Sequence, residues 1–89
     1  MSYEVSLTDE AEDDLRRLQD PLLQAHVLDR LEHLARAPVA LSQRASFPHL
    51  PFQKYQFWSP DHTIHFTALF QYSQDGRSLI ILGIGVVQY

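Results

Sequence analysis

Residues 59–66, with the sequence SPDHTIHF, bring together the side chains of this chain that are best suited to acid–base chemistry. His62 and His65 lie three positions apart, and Asp61 directly precedes the first of them. Histidine transfers protons efficiently near neutral pH because its unperturbed pKa is about 6.5, and a carboxylate can orient its ring. The stretch therefore raises the question of whether these side chains carry out chemistry or have only a structural role.

The same spacing raises the alternative of a metal site. Side chains three residues apart on an extended strand point to opposite faces, and the chain has no cysteine to complete a ligand set. We therefore predict neither a bound metal nor any other cofactor.

Each of these residues also has a purely structural interpretation. His65 can be a polar occupant of a solvated sheet face, and His62 an exposed turn residue. Asp61 follows Pro60, and an aspartate in a turn commonly accepts hydrogen bonds from its own backbone. The residue types alone leave both interpretations open.

The second half of the chain is predicted to consist of three strands that position these residues. KYQFWS, TIHFTALFQY and SLIILGIGVVQY have the composition of strands, and residues 59–62 and 73–76 form the turns between them. The alternation in the middle strand puts Phe66 on the face that the helices should cover and His65 on the open face. Gly83 and Gly85 interrupt an apolar run, which indicates a bulge or a close approach by another backbone.

The first half predicts a strand followed by two helices. Residues 2–7 alternate as a strand, Thr8 is a natural N-cap for the first helix, and Asp20 with Pro21 begins the second, which should end before Pro38. The short joint between the helices indicates an antiparallel hairpin packed on a sheet. Residues 38–53 contain three prolines and are predicted to form an irregular connection. The expected fold class is α+β: strand, helix hairpin and a three-stranded antiparallel meander in one sheet.

Composition restricts the classes of partner. The 89 residues predict a single domain over 1–89, and no apolar stretch is long enough to span a membrane. The absence of a signal-like N-terminus and of cysteine favours the cytoplasm. The net charge is −4, and residues 47–89 hold two acids and two bases, so the strand region lacks the basic footprint that usually attracts a polyanion.

Four segments of the chain together resemble the RelE/ParE superfamily of bacterial toxins. YEVSLTDEAEDDLRRL resembles the opening strand and first helix of that family, and VLDRLEHLARAP its second helix. LPFQKYQFWSPDHTIHF and LIILGIGVVQY resemble its later strands. The resemblance implies the toxin of a type II toxin–antitoxin pair, with an antitoxin protein as its partner and no membrane association.

The family includes two kinds of toxin, and the resemblance leaves both open. One branch cleaves messenger RNA on the ribosome, using basic residues to stabilise the transition state and a base to activate the ribose 2′-hydroxyl. The other inhibits DNA gyrase by binding. A third alternative is a catalytically inactive member retained as an interaction module.

This chain departs from the family where the family performs its chemistry. When Tyr55, Asp61 and Gly85 are placed on the family's corresponding tyrosine, aspartate and glycine, polar motif positions become uncharged or apolar. Three usual arginines, a tyrosine and the His-Arg pair of the last strand are replaced by Gln56, Trp58, Thr63, Phe66, Val86 and Val87.

Some nuclease members rely on histidines and an aspartate instead, which implies a candidate set for this chain. His49, His62 or His65 would act as acid or base, Asp61 would orient one of them, and Lys54 would contact the phosphate. The expected activity is therefore ribosome-dependent cleavage of messenger RNA and inhibition of translation, if the chain is active.

Overall fold

Helices cover one face of a five-stranded sheet in the computed structural model of this chain, which describes residues 2–44 and 52–89. His49 lies outside these residues. The elements in chain order are β1 (Glu4–Leu7), α1 (Asp9–Arg16), α2 (Pro21–Arg36), α3 (Pro38–Leu41), β2 (Gln43–Arg44), β3 (Gln53–Trp58), β4 (Ile64–Tyr72) and β5 (Ser78–Gln88).

The strand order in the sheet is β1-β5-β4-β3-β2. β3, β4 and β5 form the predicted antiparallel meander, and β1 joins its far edge in parallel with β5. The predicted α+β fold class is therefore confirmed.

The interpretation of residues 38–53 as an irregular connection was wrong for residues 38–44, which contain two short elements. Pro38 begins the short helix α3, where proline, which lacks an N–H, is tolerated because an N–H at the first helical position would have no acceptor within the helix. Gln43 and Arg44 form β2 by pairing with Lys54 and Gln53. Both elements are too short to leave a periodic signal in the sequence.

The helix ends carry the predicted caps. The Thr8 hydroxyl accepts a hydrogen bond from the Ala11 N–H at 3.2 Å, and an Asp20 carboxylate oxygen accepts one from Leu22 N–H at 3.0 Å. Such caps satisfy backbone donors that have no partner within the helix. Gln19, in the joint between α1 and α2, adopts a left-handed conformation with φ +58° and helps to reverse the chain.

The core lies between the helices and one face of the sheet. Phe66, Ala68 and Phe70 of β4 are completely buried, as are Val27 and Leu34 of α2. The rings of Phe57 and Phe66 stack with their centroids 5.1 Å apart. The alternation read from the sequence therefore assigned the faces of β4 correctly, and it leaves the other face of the sheet open.

A bulge in β5 fixes where α1 contacts the sheet. Leu69 pairs with Gly83 and the next residue, Phe70, pairs with Ile81, so Leu82 is the extra residue. An added Cβ on Gly83 would lie 3.5 Å from an Asp14 carboxylate oxygen, and the same oxygen accepts a hydrogen bond from the Ile84 N–H at 2.9 Å. Gly83 therefore lies beside the bulge that the sequence predicted, and the Asp14 side chain, not another backbone, lies next to it at an ordinary contact distance.

Among the residues described, no helix combines the length and apolar character needed to cross a membrane.

Candidate functional site

The open face of the sheet, opposite the helices, carries the candidate residues of the strands. Trp58 of β3 pairs with His65 of β4, which in turn pairs with Val87 of β5. Lys54 lies on the same face of β3, opposite Leu69. Within the described strands β3, β4 and β5, Lys54 is the only lysine or arginine on this face.

Four rings form an aromatic cluster at one end of the open face: Trp58, His62, His65 and Tyr89. The His65 ring meets the Trp58 ring edge-on at a centroid distance of 4.9 Å. His62 stacks at 6.2 Å with an interplanar angle of 26°, and Tyr89 lies at 5.4 Å. Because Trp58 keeps 40% of its surface exposed, the cluster offers both an apolar ring and two imidazoles to solvent.

His62 does not lie where strand alternation across the His-x-x-His spacing would place it. An extended strand would have placed His62 and His65 on opposite faces, yet both rings contact Trp58. His62 lies before β4, in a turn, with φ +60°. This left-handed residue redirects the chain, so strand alternation does not apply between the two histidines.

Asp61 uses its carboxylate within the turn. One of its oxygens accepts hydrogen bonds from the Ser59 hydroxyl at 2.7 Å, the Thr63 hydroxyl at 2.8 Å and the Thr63 N–H at 3.2 Å. Ser59 is itself 98% buried, with only 2% of its surface exposed. The structural interpretation of Asp61 therefore has direct geometric support, and no hydrogen bond joins its carboxylate to either histidine among the described residues.

We expect Asp61 to make the stability of the protein depend on pH in the acid range. Hydrogen bonds from the Ser59 and Thr63 side chains, and from the Thr63 backbone, lower the pKa of Asp61 below its ordinary value of 3.8. A lowered folded-state pKa contributes stability that is present above the unfolded pKa and is lost as the pH falls through the folded pKa. Urea unfolding from pH 6 down to pH 2 should show a decline that begins near pH 4, which Asp61→Asn reduces.

Asp75 provides the internal reference for that measurement, since the Ser73 hydroxyl and the Arg77 N–H lower its pKa in the same way. Asp75→Asn should remove the part of the decline in stability that is due to Asp75. The double variant should remove the parts due to both aspartates. An Asp61→Asn protein with an unchanged acid profile would show that the hydrogen bonds of this turn do not persist in solution.

The turn around Asp75 repeats the turn around Asp61 except for the bond from the Thr63 hydroxyl, which has no counterpart at Arg77. Ser59 N–H donates to Ile64 O and Ser73 N–H donates to Ser78 O, both at 2.9 Å. The serine hydroxyls accept from the backbone N–H groups of Ile64 and Ser78 at 3.1 and 3.0 Å. The two turns that flank β4 therefore share one architecture.

The two turns differ at their left-handed position. Gly76 occupies it in the second turn with φ +71°, whereas His62 occupies it in the first with φ +60°. Glycine adopts this conformation without steric cost, while residues with a Cβ pay about 1–2 kcal/mol. The presence of histidine at a position where the equivalent turn has glycine favours a role for the His62 ring beyond the turn.

We expect His62→Gly to leave the free energy of unfolding within about 0.5 kcal/mol of the native value or to raise it. The relief of backbone strain is opposed by the greater freedom of glycine in the unfolded chain, an effect of about 0.5–1 kcal/mol. Urea denaturation followed by circular dichroism measures the difference.

The matched control is Gly76→Ala in the equivalent turn. An added Cβ there meets no atom within 4 Å, so its cost of about 1–2 kcal/mol would come from the backbone conformation alone. If His62→Gly instead destabilised the protein by more than 1 kcal/mol, the contact of the His62 ring with Trp58 would be structural.

His26 is a residue of this region that sequence reasoning did not select. Its Nε2 atom lies 2.9 Å from the Trp58 carbonyl oxygen, and its ring meets Phe57 edge-on at 6.1 Å. His26 is half-buried and connects α2 to the end of β3. His26 directly precedes Val27, the first residue of the buried stripe of α2, and that position was the signal that its side chain borders the sheet.

The structure thus brings two of the five predicted residues together. His62 and His65 share the aromatic cluster, and Asp61 lies beside them but is bonded within its turn. Lys54 precedes Trp58 by four strand positions, or about 13 Å at 3.3 Å per residue. His49 lies outside the described residues, and among the residues that are described no group of three metal-binding side chains occurs.

Comparison with known proteins gives likenesses of fold. No protein-family profile matches the sequence, and no curated protein does. A toxin–antitoxin complex, RelBE2 of Mycobacterium tuberculosis, contains a chain that superposes with a TM-score of 0.77 at 19% identity, covering 94% of this chain and 96% of that one.

Two structures from Escherichia coli are also similar. The free toxin RelE, as a double arginine-to-alanine mutant, gives a TM-score of 0.69 at 15% identity, with 96% of this chain and 83% of that chain covered. The intact RelBE toxin–antitoxin complex gives 0.68 at 12% identity, with 99% and 100% covered. At these identities the likeness concerns the fold.

Proposed function

We propose that this chain, whose fold is that of the RelE toxins, is the toxin of a type II toxin–antitoxin pair. The observation that carries the proposal is the extent of the likeness, which covers 94% or more of the chain in three solved structures. Of the sequence segments that resemble the RelE/ParE superfamily, YEVSLTDEAEDDLRRL includes β1 and α1, and LIILGIGVVQY includes most of β5. Two of the three similar structures are toxin–antitoxin complexes, which supports an antitoxin as the partner.

The leading activity is cleavage of messenger RNA on the ribosome, with His62 and His65 as the proton-transfer pair. One imidazole would remove the proton of a ribose 2′-hydroxyl, whose oxygen attacks the adjacent phosphorus and forms a cyclic phosphate. The other would donate a proton to the departing 5′-oxygen, so that protons and charge balance. The support is that both rings lie on the open face beside an exposed Trp58, which could stack on a base.

Two observations favour a second candidate, inhibition by binding, as in the branch that acts on DNA gyrase, or an inactive interaction module. Lys54 is the only fixed cation on the open face of the described strands β3 to β5. Because a single donor that stabilises a transition state is commonly worth about 3–4 kcal/mol, a face with one cation provides little of the stabilisation that cleavage needs. The Asp61 carboxylate is also bonded within its turn, so it does not orient a histidine.

Induction in a bacterial host, with and without the neighbouring small reading frame, tests the proposed toxin function. Growth arrest that the neighbouring product relieves would support it, whereas harmless expression of a folded chain that binds no such product would overturn it. Primer-extension mapping then separates the activities. Codon-phased cuts in transcripts indicate cleavage, and intact transcripts with a DNA-damage response indicate gyrase.

A further inference from the structure

The second half of β5 has an open edge. β1 pairs with β5 only over Ser78–Ile81, whereas β5 continues to Gln88. From Leu82 onward, the side of β5 away from β4 has no strand partner among the residues that the structure describes. Residues 85–89 are all exposed.

The direction of the backbone groups on this edge follows from two hydrogen bonds. The Ile84 N–H points away from β4 toward Asp14, and the Tyr89 N–H points toward β4 and donates to the Thr63 carbonyl at 2.8 Å. Because these groups alternate along a strand, Val86 and Gln88 direct both their N–H and their C=O to the open edge. Neither residue has a partner there within the described part of the chain.

Natural sheets usually protect such an edge with proline, lysine or an inward charge. This edge instead carries Val86 and Val87, which are 44% and 51% exposed. Val86 borders a groove of about 270 Å³ whose other walls include Leu18, Arg17 and Asp14 of the α1 region. The edge therefore offers alternating backbone donors and acceptors beside a place for one apolar side chain.

Charge decides which kind of strand fits. Residues 9–17 hold five carboxylates against Arg16 and Arg17, a net charge of −3. If two copies of this chain paired through this edge, their sheets would become continuous. The acidic segments 9–17 of both copies would then lie on the same face of that sheet, where their like charges repel. A basic strand would meet the opposite charge.

We propose that the open edge of β5 at Val86 and Gln88 accepts an extended, net-basic peptide segment of a partner protein as an additional strand. Recognition comes from backbone hydrogen bonds to the edge, one apolar side chain in the groove beside Leu18, and basic side chains near α1. The identification of that partner as the antitoxin rests on the proposed function. The edge itself does not depend on it.

The probe is an acetylated, amidated octapeptide of alternating lysine and valine, added to the full chain and followed by amide NMR. We expect the amides of Val86 and Gln88 to shift and their hydrogen exchange to slow by about tenfold or more, since an exchangeable N–H becomes part of a ladder. The glutamate–valine octapeptide should bind at least about tenfold more weakly, a difference of roughly 1.4 kcal/mol. A lysine peptide with every backbone nitrogen methylated should not bind at the edge.

Variants of the chain complete the test. Val86→Pro removes the outward N–H without breaking a bond to β4, as edge prolines do, and should weaken lysine-peptide binding by about tenfold. Val86→Ala keeps the N–H and should lose less. Circular dichroism confirms that both variants are folded.

The inference would be overturned if the lysine peptide protected amides elsewhere and not those of Val86 and Gln88. It would also be overturned if the glutamate peptide bound equally well, or if the methylated peptide bound as well as the unmethylated one. The methylated peptide keeps the test valid even if Val86→Pro does not fold. Failure of the proposed function is distinguishable, because a chain that arrests no growth can still show edge protection by the lysine peptide. Conversely, if the chain acts as a toxin and its antitoxin binds the Val86→Pro variant as tightly as the native chain, the identification of the antitoxin as the occupant of this edge is overturned while the proposed function stands.

Discussion

Replacing His65 by phenylalanine is expected to abolish the growth arrest that the proposed toxin function predicts on induction of the chain. Phenylalanine keeps a flat ring against Trp58, where the His65 ring now lies at 4.9 Å, but it has no nitrogen to carry a proton. Removing a general acid or base typically costs about 10²–10⁴ in rate. The codon-phased cuts mapped by primer extension should disappear together with the growth phenotype.

His62→Gly is the companion to this substitution, since it removes the second imidazole from a position where glycine suits the backbone. A His62→Gly chain that is as stable as the native one and yet harmless would separate function from folding. If His65→Phe and His62→Gly both arrested growth as fully as the native chain, proton transfer by these residues would be ruled out, and inhibition by binding would remain.

Replacing Phe66 by alanine is expected to have the largest effect on stability. Phe66 is completely buried and stacks on Phe57 at 5.1 Å, and truncation of a buried phenylalanine costs about 3–5 kcal/mol. Small domains have total stabilities of about 5–15 kcal/mol, so the variant should be partly unfolded at 37 °C. Urea denaturation at 25 °C measures the loss.

Phe66→Leu is the control, because it keeps much of the apolar volume and should lose clearly less. Phe66→Ala should also be harmless to cells, through loss of folded protein and not through loss of a chemical group. A loss below about 1 kcal/mol, the centre of the range for ordinary substitutions, would contradict the position of Phe66 in the core.

Local patterns in the sequence predicted those parts of the fold that depend on local physics. The caps at Thr8 and Asp20 and the alternation around Phe66 are properties of neighbouring residues, and the structure confirms them. β2 was not predicted, because its two residues, Gln43 and Arg44, form a strand only through their pairing with β3. The parallel pairing of β1 with β5 joins residues more than 70 positions apart, for which a single sequence holds no direct signal.

The candidate site was predicted less completely for a related reason. Strand alternation placed His65 on the open face, as the register confirms. The orientation of His62 could not be predicted, because it depends on a left-handed backbone that only the turn as a whole determines. The bond between His26 and the Trp58 carbonyl spans 32 positions, so it depends on how α2 lies across the sheet.

The aromatic cluster gives this protein a built-in optical reporter. Trp58 is the only tryptophan in the chain, and it touches both candidate histidines and Tyr89. The tryptophan fluorescence of the protein therefore arises entirely from the place where function is proposed. Binding of a nucleotide, a partner or a proton at the cluster can be followed by emission from unlabelled protein.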